Sequence, residues 1–100
     1  MTVFLVPLKE NKGLDSKVTY FAESMNFIAL IRDSDIDILK INYPIEAIRH
    51  ADRKNSNVIL TPGVSQSFLS ILKAANLKVK LIPDELSLKD VLALISKGAV

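Results

Sequence analysis

The short run Val3–Val6 is the feature that most constrains this fold, because all four of its residues are apolar. A strand with no polar face is typical of the middle of a sheet that is covered on both sides. Pro7 has no backbone N–H to donate to a neighbouring strand and fits the end of this one. A polar loop with three lysines around a glycine follows. We therefore expect a sheet built around the first strand.

Two β-forming runs follow that loop, at 27–32 and 36–41, with the polar cluster Asp33-Ser34-Asp35 between them. They predict an antiparallel hairpin. The second strand carries Asp37 and Lys40, and charges of this kind are typical of a strand at a sheet edge. Before the hairpin, Thr19–Ser24 is predicted to form one short helical turn.

The second half of the chain alternates between helical and extended patterns. Helices are predicted at 44–54, at 65–75 and from residue 88 to Gly98, and buried strands at 58–60 and 78–82. Helical spacing of apolar residues predicts three inward stripes: Ile45 and Ile48; Phe68, Ile71, Leu72 and Ala75; Leu88, Val91, Leu92 and Ile95. Strand–helix alternation of this kind favours parallel pairing of the strands.

Composition narrows the class of protein. One hundred residues with 49% hydrophobic content predict a single domain over residues 1–100 with one core. There is no cysteine, so disulfides and thiolate metal sites are excluded. A net charge of +2 without a basic run, and six aromatics without tryptophan, argue against nucleic acid as a partner. No apolar run is long enough for a membrane span, and we expect a cytoplasmic protein.

A candidate binding site follows from the expected sheet. If the strand at 58–60 lies beside the first strand, the loop 9–18 and the loop 61–67 meet at the edge where ligands collect in α/β sheets. Gly63 permits close backbone approach, and a helix that starts near Ser65 directs free N–H groups into the cleft. Hydroxyl and ammonium groups that could hold an anion there are those of Thr61, Ser65, Ser67, Lys9, Lys12 and Lys17. The alternative is that these residues only shape turns and cap the helix.

The first loop also resembles a known motif. Preceded by Val6-Pro7, it resembles the opening of the dinitrogenase iron–molybdenum cofactor biosynthesis family, the nitrogenase accessory factors, through Glu10-Asn11-Lys12-Gly13-Leu14-Asp15-Ser16-Lys17-Val18. The resemblance implies a ribonuclease H-like, three-layer α/β/α fold. Its five-stranded mixed sheet would have the order 3-2-1-4-5, with strand 2 antiparallel and three main helices.

The resemblance also implies ligand-binding roles and a cofactor. Asn11, Gly13, Asp15 and Ser16 match the family motif, and Tyr20 stands where the family has a histidine. Members of the family bind iron–sulfur or iron–molybdenum-type clusters. This chain has neither a cysteine nor the family histidine.

Our leading hypothesis is a non-catalytic binding domain that holds an anionic ligand or a metal cofactor between the two loops. One alternative is an interaction module without a small ligand, which could form a homodimer through the edge strand 36–41. Another is a magnesium-dependent hydrolase using Asp15 with Asp33 and Asp35. The three carboxylates of Asp33, Asp35 and Asp37 could also hold a hard cation.

Overall fold

The computed structural model describes residues 1–33 and 35–100. Five strands form one sheet: β1 (Thr2–Leu8), β2 (Phe27–Arg32), β3 (Asp35–Lys40), β4 (Ser56–Thr61) and β5 (Lys78–Leu81). The helices are a 3-10 helix (Pro44–His50), α1 (Gln66–Ala74) and α2 (Leu88–Ser96). The expected turn at Asp33-Ser34-Asp35 includes Ser34, which lies outside the described residues.

The strand order is β3-β2-β1-β4-β5, so the predicted order 3-2-1-4-5 is confirmed. β2 runs antiparallel to both of its neighbours, with Leu8 opposite Phe27. β4 runs parallel to β1 and to β5. β1, β4 and β5 therefore all end at one edge of the sheet, which we call the carboxyl edge, and begin at the opposite amino edge.

Both faces of the sheet are covered, which is why the first strand needs no polar side. Val3 and Leu5 contribute to a cluster that contains the buried side chain of Leu72 from α1. Val6 and Leu8 contribute to a second cluster, on the face that α2 covers. Because β side chains alternate between the two faces, one apolar strand supplies both cores. The three-layer α/β/α architecture is thus confirmed.

Two of the predicted helices differ from expectation in which residues they bury. The segment from 44 is a 3-10 helix with three residues per turn, so Pro44 and Ala47 are buried and Ile45 is 48% exposed. In α1, Leu72 is buried as predicted, but Ile71 is 36% exposed and Ala75 lies on the surface. The predicted inward positions of Ile45, Ile71 and Ala75 are therefore wrong.

The segment after the first loop is extended rather than helical. Phe21 pairs with Val64 in an isolated parallel bridge, so the helical turn predicted at 19–24 is wrong, because backbone pairing with the loop after β4 takes its place. None of the described helices is both long and apolar enough to cross a bilayer.

Candidate functional site

The two predicted loops do meet at the carboxyl edge, but residues 19–21 fill the space between them. The Thr61 hydroxyl donates to the Thr19 carbonyl at 3.0 Å. The Phe21 N–H donates to the Gly63 carbonyl at 2.9 Å, and the Ser65 N–H donates to the Phe21 carbonyl at 3.0 Å. Residues 19–21 thus join the two loops through hydrogen bonds, and we call this joined region the seam. The open space lies next to the seam.

Tyr20 crosses this seam from one loop to the next. A Cβ atom at Gly63 would lie 2.9 Å from Cδ1 of Tyr20, so the glycine is what allows the ring to rest on the backbone. The Tyr20 hydroxyl donates to a carboxylate oxygen of Asp84 at 3.0 Å. That hydrogen bond, together with the negative charge of Asp84, raises the pKa of Tyr20. The ring therefore connects the loop after β4 with the loop after β5.

Three of the candidate residues shape the first loop from within. Ser16 is fully buried, and its hydroxyl donates to the Gly13 carbonyl at 2.7 Å and accepts from the Lys12 N–H at 2.8 Å. The Asn11 side chain accepts from the Gly13 N–H at 3.2 Å. Gly13 has a φ of 61°, a conformation that favours glycine. The polar groups of Asn11 and Ser16 are thus used within the turn.

The tip of this loop rests on the start of α2. The N–H groups of Leu88 and Lys89 donate to the carbonyls of Ser16 and Leu14, each at 2.9 Å. Asp15 forms an ion pair with Lys89 at 3.7 Å between well-exposed side chains, an arrangement that contributes little stability. The tip therefore occupies N–H groups at this helix start that an anion would otherwise use.

Ser87 and Asp90 form a capping box at the N-terminus of α2. The Asp90 carboxylate accepts from the backbone N–H and the hydroxyl of Ser87, both at 3.0 Å, and these bonds lower the pKa of Asp90. At the start of α1, in contrast, Ser65 makes no side-chain capping bond, and its hydroxyl lies 3.2 Å from that of Ser67. The first turn of α1 contains no acidic residue.

An open cleft of about 600 Å³ lies beside the seam, between the base of the first loop and the loop after β5. Three of the candidate residues, Lys9, Lys17 and Tyr20, line it. The full lining is Lys9, Lys17, Val18, Thr19, Tyr20, Asp84 and Glu85. Asn11, Lys12, Gly13, Asp15 and Ser16 belong to the loop tip, and Thr61, Gly63, Ser65 and Ser67 lie outside the lining, on the α1 side.

Sequence reasoning did not select Asp84 and Glu85, because a Pro-Asp-Glu sequence after a strand is an ordinary turn signal. The signal that could have found them is positional. β5 is the third parallel strand that ends at the carboxyl edge, so the turn after it belongs to the same edge as the first loop.

The charges in this cleft are mixed. Among the described residues, neither Lys9 nor Lys17 forms an ion pair, and Asp15–Lys89 is the ion pair present. Both ammonium groups are thus available to an anion. Asp84 accepts a hydrogen bond from the Tyr20 hydroxyl. Asp84 and Glu85 together place carboxylate oxygens on the opposite wall of the cleft.

The donor set does not fit direct ligation of an iron–sulfur cluster. Such clusters are held by cysteine thiolates, with histidine in some cases, and this chain has no cysteine. The single histidine, His50, lies outside the cleft. Within residues 1–33 and 35–100, no three histidine, aspartate or glutamate side chains come together to form a metal site from protein ligands alone.

The hydrolase alternative needs carboxylates that the topology separates. Asp15 follows the end of β1 at the carboxyl edge and contacts Lys89. Asp35 pairs with Arg32 at the far end of the hairpin, which is the amino edge. Asp15 and Asp35 therefore lie at opposite edges of the sheet, whereas this mechanism needs both carboxylates at one site.

No protein-family model matches the sequence, and no curated protein matches it. Solved structures do match. An NMR structure of a Thermotoga protein of the DUF35 family, provisionally assigned as NifB, is 17% identical, with a TM-score of 0.78 over 98% of this chain and 90% of that chain. The apo form of the orange protein from Desulfovibrio gigas is 18% identical, with a TM-score of 0.74 over 98% and 89%. This chain has their fold. At such identities the likeness extends to the fold alone.

Proposed function

We propose that this chain is a non-catalytic binding domain that holds a small anionic ligand in the cleft between Lys9, Lys17 and Tyr20. The observation that carries the proposal is the pair of lysines without ion-pair partners beside an open cleft at the carboxyl edge. Ligands of α/β sheets collect at this edge. The cleft volume also lies in the range of small-molecule sites, about 300–1,000 Å³.

The likeness to other proteins supports the same function. The motif at 10–18 resembles that of the nitrogenase accessory factors, and one protein of the same fold carries a provisional NifB assignment. Another was solved in its apo form, a term for a protein that also has a ligand-bound form. Because this chain has no thiolate, we infer that its ligand is held by charge and hydrogen bonds rather than by metal–sulfur bonds.

The acidic wall of the cleft limits which anions fit. Asp84 and Glu85 repel a bare, highly charged anion, but their oxygens are the donors that Mg²⁺ prefers. An anion accompanied by a divalent cation would satisfy both walls, with its oxygens on the lysines and its cation near the carboxylates. We therefore expect Mg²⁺ to strengthen the binding of inorganic phosphate.

Amide chemical shifts test this proposal. Titration of the full chain with inorganic phosphate or molybdate, with and without Mg²⁺, should shift the amides of residues 9, 17–20 and 84–85. The double variant Lys9→Gln/Lys17→Gln should lose the response. The matched variant Lys80→Gln/Lys97→Gln, which removes the same charge from exposed positions outside the cleft, should keep it. Shifts confined to residues 33–37, or a response that survives in the first variant, would refute the proposal.

The open edge of β3 supports a second candidate function, self-association. β3 pairs with β2 on one side only, and it carries charges of opposite sign near its two ends. Two copies paired antiparallel about a two-fold axis between Asp37 and Ile38 would place Asp35 opposite the partner's Lys40. Opposite charges facing each other across strands stabilise such a pair.

Light scattering distinguishes this candidate. A dimer that Lys40→Asp dissociates and Lys40→Gln largely preserves would support it, whereas a monomer at all concentrations would exclude it. Ile41 is unsuitable for such a test, because it is only 3% exposed and lies after the end of β3, within the core.

A further inference from the structure

A second open cavity, of about 570 Å³, lies at the amino edge, away from the cleft described above. It is bounded by the end of the 3-10 helix, the segment that leads into β4, the end of α1 and the start of β5. Small side chains form part of its wall, namely Ala51, Ala74 and Ala75, and three cationic side chains surround it, namely Arg49, Arg53 and Lys78.

Within the described part of the chain, no carboxylate lines this cavity. Arg49, Arg53 and Lys78 are all exposed, and among the described residues none of them forms an ion pair. Asp52, which lies between the lining residues Ala51 and Arg53 in the chain, has a carboxylate that accepts from the Lys54 N–H at 3.0 Å and from the Asn55 side chain at 2.7 Å. The lining therefore carries three positive charges, and guanidinium groups match the oxygens of a phosphate.

One wall of the cavity is held rigid by a hydrogen-bonded network. Asn57 is only 7% exposed, and its side chain accepts from the Asp52 N–H at 2.9 Å. Its amide group donates to the carbonyls of Asp52 at 2.6 Å and Asn55 at 3.1 Å. These bonds fix the backbone of this wall, so binding requires little backbone ordering there.

The end of α1 fixes where an anion can sit. The C-terminus of a helix carries partial negative charge and disfavours an anion close to it. The N–H groups of Asn76 and Leu77 close the helix by donating to the carbonyls of Lys73 and Leu72, both at 3.0 Å. Ala74 and Ala75 then face the cavity as small apolar groups. A negative group thus belongs near the arginines and an uncharged group against the alanines.

We propose that this amino-edge cavity binds a nucleoside monophosphate, with its phosphate on Arg49 and Arg53 and its flat base against Ala51, Ala74 and Ala75. The amide of Asn76, at the cavity lip, offers the paired donor and acceptor that an adenine edge requires. This site is independent of the proposed anion cleft, since the two share no residue.

Titration of the full chain with AMP, adenosine and inorganic phosphate tests the proposal. AMP should shift the amides of residues 48–57 and 74–78 and should bind more tightly than either fragment. Arg49→Gln/Arg53→Gln should weaken AMP binding about tenfold or more, because it removes both charge-assisted contacts. The matched variant Lys54→Gln/Lys73→Gln, which removes the same charge outside the cavity lining, should change it by less than about twofold.

Three results would overturn this inference: no AMP-dependent shift at residues 48–57 and 74–78, AMP binding at these amides no tighter than that of phosphate, or equal AMP affinity at these amides in the arginine variant and wild type. Because all four positions are exposed, the variants should fold, and their amide spectra verify this. AMP shifts confined to residues 9–20 and 84–85 would refute the amino-edge site while leaving the carboxyl-edge cleft standing. Phosphate shifts confined to residues 48–57 and 74–78 would refute the carboxyl-edge cleft without counting against the amino-edge site.

Discussion

The two edges of the sheet carry open spaces of nearly equal size but of different construction. At the carboxyl edge, lysines face carboxylates across about 600 Å³, and the neighbouring loops are joined by the extended residues 19–21. At the amino edge, arginines surround about 570 Å³ without a facing carboxylate, beside a network built from asparagine side chains. The edge favoured by the general rule for α/β sheets is therefore not the more positive one.

The largest expected effect is at the seam of the carboxyl edge. Phe21 is fully buried and lies edge-to-face against Phe68, with ring centroids 5.8 Å apart. Phe21→Ala should lower the free energy of unfolding by about 3–5 kcal/mol, measured by urea denaturation. Tyr43→Ala, at a ring that is 65% exposed, should have little effect. A loss below about 1 kcal/mol at Phe21 would mean that residues 19–21 do not hold this edge together.

The amino edge should depend on a side-chain network instead. Asn57→Ala leaves the backbone N–H and carbonyl of Asp52 without their partner, at a cost of about 1–3 kcal/mol. Asn42→Ala, at an exposed asparagine, should change stability by less than about 0.5 kcal/mol. The same urea curves measure both, and equal losses in the two variants would contradict the network.

The two α-helix starts at the carboxyl edge give a smaller contrast. Ser87→Ala removes half of the capping box and should cost about 1 kcal/mol. Ser65→Ala should stay within about 0.5 kcal/mol, because the Ser65 side chain makes no capping bond. Thermal unfolding of both variants measures the difference. If Ser65→Ala proved the more damaging, the start of α1 would be closed in a way that the structure does not have.

The smallest expected effect is a change in the pKa of Tyr20. Asp84→Asn removes the negative charge beside Tyr20, so the Tyr20 pKa should fall back towards its ordinary value of 10.0. Because folding raises this pKa, the stabilisation is complete below pH 10 and is lost as the pH rises through the pKa of the folded state. Absorbance titration in a Tyr43→Phe background, which leaves Tyr20 as the single tyrosine, measures the shift. An unchanged midpoint would contradict the Tyr20–Asp84 bond.

Much of the fold was predictable from local patterns. The apolar run in β1 predicts a strand in the middle of the sheet, and the alternation of strands and helices predicts parallel pairing, whereas the strand order came from the family resemblance. The failures occurred where tertiary context decides burial. Ala75 matches a helical stripe, but it is exposed and lines the amino-edge cavity. Ile45 matches a 3.6-residue period, but its helix has three residues per turn.

The position of the candidate site was more predictable from the sequence than the residues that line it. Adjacent parallel strands bring their carboxyl ends together, which is why Lys9 and Tyr20 lie at the cleft. Asn11 and Ser16 were expected to bind a ligand because they match the family motif, yet the side chains of both bond to neighbouring backbone groups. Arg49 and Arg53 lie off the apolar stripe of the helix predicted at 44–54, and only the fold brings them to the cavity at the end of α1.

The most direct test of the central claim is the inorganic phosphate titration in the presence of Mg²⁺, followed by amide chemical shifts. We predict saturable shifts at Lys17, Tyr20 and Glu85 that disappear in Lys9→Gln/Lys17→Gln and persist in Lys80→Gln/Lys97→Gln. Saturable shifts in the wild type that leave these three amides unmoved would contradict the assignment of the carboxyl-edge cleft as the binding site.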